Sequence, residues 1–162
     1  MRARAVLVLT LALAAAACTR SADLTKDCKL TPIATGWFDA GVTAEGKNKL
    51  VPSISFTLTN TGAEAWGPMQ INCIFKRLGD HEERSTVLVR GTTAGASNLA
   101  AGATTPPIVV RASEGYTGTE PRANMLANHL FVDFKVEVFG KSGSATWVSL
   151  GEYPITRQLL TK

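Results

Sequence analysis

The stretch SISFTLTNTG, residues 53–62, alternates hydroxyl-bearing and apolar side chains as far as Asn60. Successive side chains of a strand point to opposite faces. Ile54, Phe56 and Leu58 therefore share one face, and Ser53, Ser55, Thr57 and Thr59 the other. One apolar and one wet face describe a half-buried antiparallel strand. Asn60-Thr61-Gly62 supplies residues that tolerate the positive φ of a tight turn. The stretch reads as scaffold; extended back to Leu50, it sets the register of its surroundings and places Trp66 on the loop just beyond it.

Working outward, MQINCIFKR (69–77) alternates again, with Met69, Ile71, Cys73 and Phe75 on the core side. Further strands are expected at 33–39 (IATGWFD), 85–90 (STVLVR) and 108–111 (IVVR). The last of these follows Pro106-Pro107 and so belongs near a sheet edge, because proline cannot donate to a ladder. LFVDFKVEVFG (130–140) places Val132, Phe134, Val136 and Val138 inward, turns at Lys141-Ser142-Gly143, and returns as ATWVSLGEYPIT (145–156), where Gly151 permits a bulge. A short helix around Met125 and Leu126 precedes this hairpin. Residues 157–162 are expected to fray. The sum is all-β: an Ig-like antiparallel β-sandwich of about seven strands with one short helix before the last hairpin.

The N-terminus sets the compartment. Arg2 and Arg4 precede an uncharged apolar run from Ala5 to Ala17, and Cys18 follows at once. This is the layout of a secretory signal peptide, and the run falls short of the ~18 apolar residues of a membrane span. Ala15-Ala16-Ala17-Cys18 resembles the lipobox of bacterial lipoproteins, which implies cleavage after residue 17 and a lipid, such as palmitate, on Cys18. The same alanines suit an ordinary signal peptidase, which would release a periplasmic or secreted soluble chain. Residues 18–30 read as a polar tether and 31–162 as the domain. Losing Arg2 and Arg4 lowers the formal net charge from +4 to +2, so no basic footprint for nucleic acid remains.

Three cysteines become an even pair once Cys18 carries lipid. In an oxidising compartment Cys28 and Cys73 are then expected to form a disulfide. Closing a loop of roughly 45 residues stabilises by ~3 to 4 kcal/mol in the chain-entropy model. The alternative is that Cys73 is a free, buried small hydrophobe.

The run ISFTLTNTGAEAWGPMQINCIFKRLGD, with Leu99-Ala100-Ala101-Gly102 after it, resembles the small extracytoplasmic Ig-like domains of the FxLYD and CARDB type. The resemblance spans residues 50–112 and rests on a strand closed by Asn-Thr-Gly, a second strand ending near Gly-Asp, and a leucine and glycine before another strand. It implies an envelope domain without catalysis, and it carries over no functional residue.

The chemistry-bearing residues point the same way. Nucleophilic catalysis needs a nucleophile and a base within hydrogen-bond reach, but His81 and His129 sit in no nucleophile motif and no G-x-S-x-G elbow occurs. Cys28 and Cys73 lack zinc-ligand spacing, so neither metal nor cofactor is expected. Asp133 and Glu137, four apart on a strand, are ~13 Å apart, too far for a glycosidase pair at ~6.5 to 9.5 Å. With Glu152 and the intervening Lys135 they read as a wet sheet face.

Aromatic residues are the better binding candidates: Trp66 in its turn, Tyr116 in GYTGTEP and Trp147, which falls out of phase with Val148 and Leu150. Exposed aromatics serve recognition; the alternative places Trp66 as a plug of the sandwich end and Trp147 under the helix. The expected function is thus a non-catalytic envelope lipoprotein acting as an interaction or assembly module with a protein partner, lipid-anchored to a bacterial membrane. A small-ligand or carbohydrate-binding sandwich using the same aromatics is the alternative.

Overall fold

The alternation of residues 53–59 becomes the central strand of the molecule. The computed structural model describes residues 22–92 and 99–160; the expected signal segment 1–17 and Cys18 lie outside the described residues. Strand β2 (Asn48–Asn60) buries Ile54, Phe56 and Leu58 completely, while Ser55, Thr57 and Thr59 stay partly open. It lies in a sheet ordered β5-β2-β1-β9, with β1 Cys28–Val42, β5 Ile108–Arg111 and β9 Leu159–Leu160; β6 (Tyr116–Gly118) also pairs with β2. β5 and β6 follow one another along the same flank of β2, opposite Phe56 to Ser53 and Leu50 to Asn48 respectively.

The second sheet runs β4-β3-β7-β8, with β3 Met69–Arg77, β4 Glu83–Thr92, β7 Phe134–Ser142 and β8 Val148–Pro154, all antiparallel. Met69, Ile71, Cys73 and Phe75 face the core as the alternation requires, together with Phe134, Val136 and Val138. The sheets pack their apolar faces together, an all-β sandwich. Gly151 lies at the expected bulge, where Val138 pairs with Gly151 and Phe139 with Ser149.

The flanks of the sandwich are tied by side chains. On one, Ser113 donates its backbone N–H to Ser85 Oγ at 3.0 Å. On the other, the Thr156 hydroxyl donates to Thr35 O at 2.5 Å as the chain leaves β8 and crosses to the first sheet. There Trp37 N–H bonds Gln158 O at 2.8 Å, and β9 pairs in parallel with β1. Residues 157–160, expected to fray, are thus part of the fold.

Several other expectations are corrected. Nine strands, not seven, form among the described residues, because β6 and β9 are three- and two-residue pieces whose existence depends on neighbours and not on periodicity. The tether is shorter than expected: Asp23 caps helix α1 (Leu24–Asp27) by accepting from Thr25 N–H at 3.2 Å. Leu24 is buried, its Cδ1 lying against Gly140, and β1 begins at Cys28. The last long strand starts at Phe134, so residues 130–133 escape its alternation: Phe131 is buried and Val132 exposed.

The disulfide is absent, and Cys28 and Cys73 are both free thiols. Cys28 opens β1 opposite Asn60, at the margin of the first sheet, whereas Cys73 lies in the middle of β3 between Val87 and Val138. Burial pushes the thiols up to about 11 and about 12 respectively, so both stay protonated.

The turn after β2 works differently from its sequence expectation. No residue of Asn60-Thr61-Gly62 has positive φ. Asn60 is instead a fully buried junction. Its amide N–H groups donate to Glu64 O at 2.8 Å and Leu99 O at 3.0 Å, and its carbonyl accepts from Gly62 N–H at 3.0 Å. Its backbone exchanges bonds with Ala103 O and Gly102 N–H. Gly62 is needed for space, since a Cβ there would meet the Asp27 side chain at 2.9 Å. Replacing Asn60 by alanine removes three hydrogen bonds from a fully buried junction, at a net ~0.5 to 1.5 kcal/mol each. We expect Asn60→Ala to lose roughly 3 kcal/mol in urea unfolding followed by circular dichroism.

Candidate interaction site

The end of the sandwich remote from α1 is built on four aromatic rings. Trp37, fully buried in β1, is the floor. Phe131 meets it edge-on with centroids 4.6 Å apart, Phe134 at 5.5 Å and Tyr116 at 5.9 Å. Tyr116 and Phe131 stack at 4.4 Å and 21°. Such offset and T-shaped pairs are favoured by the ring quadrupoles, adding ~0.5 to 1.5 kcal/mol each beyond area burial. Among the described residues the indole N–H of Trp37 meets no acceptor, and the ring is held by its packing against the other three.

Tyr116 reaches this position because β6 approaches β2 closely. At Gly115 a Cβ would lie 1.9 Å from Leu50 O, so only glycine admits the chain there. The Tyr116 hydroxyl accepts from Val132 N–H at 2.7 Å and donates to Leu130 O at 3.3 Å. Arg157 clamps the same loop from outside. Its Nε donates to Asp133 Oδ1 at 2.6 Å, and its Nη2 to Asp133 Oδ2 and Phe131 O, both at 3.1 Å, with the guanidinium 5.2 Å from the Phe131 ring. Arg157 holds the Asp133 carboxyl below its ordinary value through that hydrogen bond.

Helix α2 (Arg122–Ala127) closes one side, burying Met125 and Leu126. Its N-cap is Pro121, with no side-chain cap. Between helix and platform lies a cleft of about 240 Å³ whose lining includes Tyr116, Thr119, Glu120, Met125, Asn128 and Leu130. Leu130 is 71% exposed at its rim; Leu78, whose N–H bonds Asp133 O at 2.7 Å, and Val132 are exposed nearby. The ensemble is an apolar surface on a loop pinned from two sides.

The three aromatic candidates do not converge. Trp66 is 2% exposed and belongs to the core, its backbone exchanging two hydrogen bonds with Leu99. Its expected role on an exposed binding loop is therefore corrected, because the strand-like pairing with Leu99 turns the indole inward. Tyr116 is half-buried, with its hydroxyl and one ring face already engaged. Trp147 is the exposed one, at 42%, with Lys141 Nζ 5.4 Å from its ring centroid. It sits at the opposite end of the sandwich from Tyr116. Trp37, Phe131 and Arg157 escaped the sequence reading, since the alternation of residues 130–140 put Phe131 on the wet side.

The carboxylates of the second sheet form an ion network. Lys76 Nζ lies 2.9 Å from Glu137, and Lys135 Nζ lies 3.3 Å from Glu137 and 2.9 Å from Glu152. Lys76, outward-facing on the neighbouring strand as the alternation of residues 69–77 requires, joins these carboxylates only through the pairing of β3 with β7. The Lys76 hydrogen bond, then that of Lys135, holds Glu137 below its usual 4.5. A carboxylate with a lowered folded value adds stability above its unfolded value, and loses it as pH falls through the folded one. Compared with models of protein families and with curated proteins, the chain matches none.

Two outcomes follow from this geometry. Tyr116→Phe is expected to lose about 1 kcal/mol in urea unfolding and to speed amide exchange at Val132. Glu137→Gln is expected to be less stable than wild type at neutral pH and to lose less stability on acidification below 4.5, measured by thermal melts across that range.

Proposed function

We propose that the chain is an exported envelope lipoprotein, anchored through Cys18 in a bacterial membrane, whose Ig-like sandwich acts as a non-catalytic interaction module. The single observation that carries this reading is the apolar rim of Leu130, Leu78 and Val132 on the pinned aromatic platform. Along β2, Leu50 beside Tyr116 and Asn60 beside α1 are ten residues apart, which at ~3.3 Å per residue is about 33 Å. A module anchored near α1 holds such a rim outward, toward a partner protein. Two antiparallel sheets with serine- and threonine-rich outer positions support the FxLYD- and CARDB-like resemblance. The carbohydrate alternative is less well supported, because Trp66 is buried and Tyr116 is engaged, leaving Trp147 without a second ring beside it.

Metabolic labelling and crosslinking test the two halves of the proposal. Labelled palmitate is expected in the wild-type chain and absent from Cys18→Ser. A benzophenone amino acid in place of Leu130 is expected to give one discrete protein adduct in intact envelopes. The same group in place of Leu88, exposed on β4, is expected to give none. Equal or absent adducts at the two positions would reject the rim as the contact surface.

A further inference from the structure

The residues that surround the start of the described chain differ in kind from those of the platform. Ala22 lies beside the 63–66 loop, and Leu24 packs against Gly140. Gly140 pairs with Val148, so Trp147 is the next residue along the chain beyond that pair. Gly143 N–H bonds Pro68 O at 3.2 Å, drawing the β7–β8 turn and the loop after β2 to the same end. Helix α1, the 61–68 loop and the turn that carries Trp147 therefore make up one face.

Covalent geometry limits how far this face can stand from an anchor. Three residues lie between Cys18 and Ala22, so four chain steps join them, and fully extended chain spans at most ~3.3 to 3.6 Å per residue. Whatever path residues 19–21 take, Ala22 stays within about 14 Å of the Cys18 backbone. A lipid on Cys18 would hold that backbone at the headgroup layer and so keep Ala22 within about 14 Å of it.

The side chains there fit an interface. An indole is apolar in body and polar at its N–H, which suits the headgroup boundary, and a lysine beside it extends its ammonium toward phosphate while its stem covers apolar surface. Trp147 with Lys141 is such a pair. The other charges on this face are Lys26, paired with Asp23 at 3.4 Å, Asp27 and Glu64. Counted with Lys141 these groups leave the face slightly negative, so the contact rests on the indole and not on electrostatic attraction to the lipid.

We infer that the α1 end of the sandwich docks on the phospholipid surface with Trp147 seated at headgroup level, fixing the domain upright with the Tyr116 platform outward. This rests on the lipoprotein reading of Cys18. The three tryptophans make it testable by fluorescence, since Trp37 and Trp66 are buried and only Trp147 is open to quenchers.

The full lipidated chain is reconstituted into phosphatidylcholine–phosphatidylglycerol vesicles, with and without lipids brominated close to the headgroup. Flotation reports the anchor and tryptophan emission reports the docking. Docking is expected to shift emission to the blue, to protect it from acrylamide several-fold relative to the unlipidated Cys18→Ser chain, and to allow bromine quenching that Trp147→Phe abolishes. A chain that floats, but whose emission ignores bromine and stays open to acrylamide, overturns the docking and leaves the anchor standing. A chain that does not float overturns the anchor and the docking together.

Discussion

The side-chain amide of Asn60 sits where three pieces of chain meet, fully removed from water, and binds all of them at once. It takes the carbonyls of Glu64 and Leu99 and the N–H of Gly62, while its backbone bonds Ala103 and Gly102. A buried amide is costly unless its groups are satisfied; here the requirement decides the path of the loop. Trp66 shares the Leu99 carbonyl through its own N–H at 2.9 Å, so the loop that Asn60 folds is the one that carries the indole into the core. The adjoining Thr61 N–H bonds Asp27 O at 2.7 Å, which joins α1 to the same knot.

From this knot the sandwich acquires two unlike ends. One gathers α1, the buried Trp66 and the exposed Trp147 around the place where the described chain begins. The other gathers Trp37, Tyr116, Phe131 and Phe134, clamped by Arg157 and edged with open aliphatic side chains. The flanks between them are tied by Ser85 with Ser113 and by Thr35 with Thr156. These bonds tie the two sheets together along both flanks. The ion network of Lys76, Glu137, Lys135 and Glu152 belongs to the wall between the ends, where its four charges offset one another.

Some of this was legible residue by residue. The alternation in residues 53–59, 69–77 and 134–138 named the inward side chains correctly, because a strand's period of two is a local property of the backbone. Gly151 marked a bulge for the same reason. Of the aromatic residues singled out for binding, Tyr116 packs against the core and Trp147 is open to solvent. Phe131 was misplaced because the strand pattern was carried four residues too far upstream. Leu24 was hidden in a polar stretch where a single apolar residue carries no periodicity.

The sequence by itself determined the class: alternating runs broken by turn-forming residues admit a half-buried sheet and little else. Only the tertiary structure decided that Asn60 is a junction and not a turn residue, that Trp66 is core, that Cys28 and Cys73 stay unpaired, and that residues 157–160 are needed. Each of these depends on which distant segments become neighbours. Periodicity tells which side of a strand is dry, but the partner across it, and therefore the bonds and the exposed ends, exists only once the sheets have met.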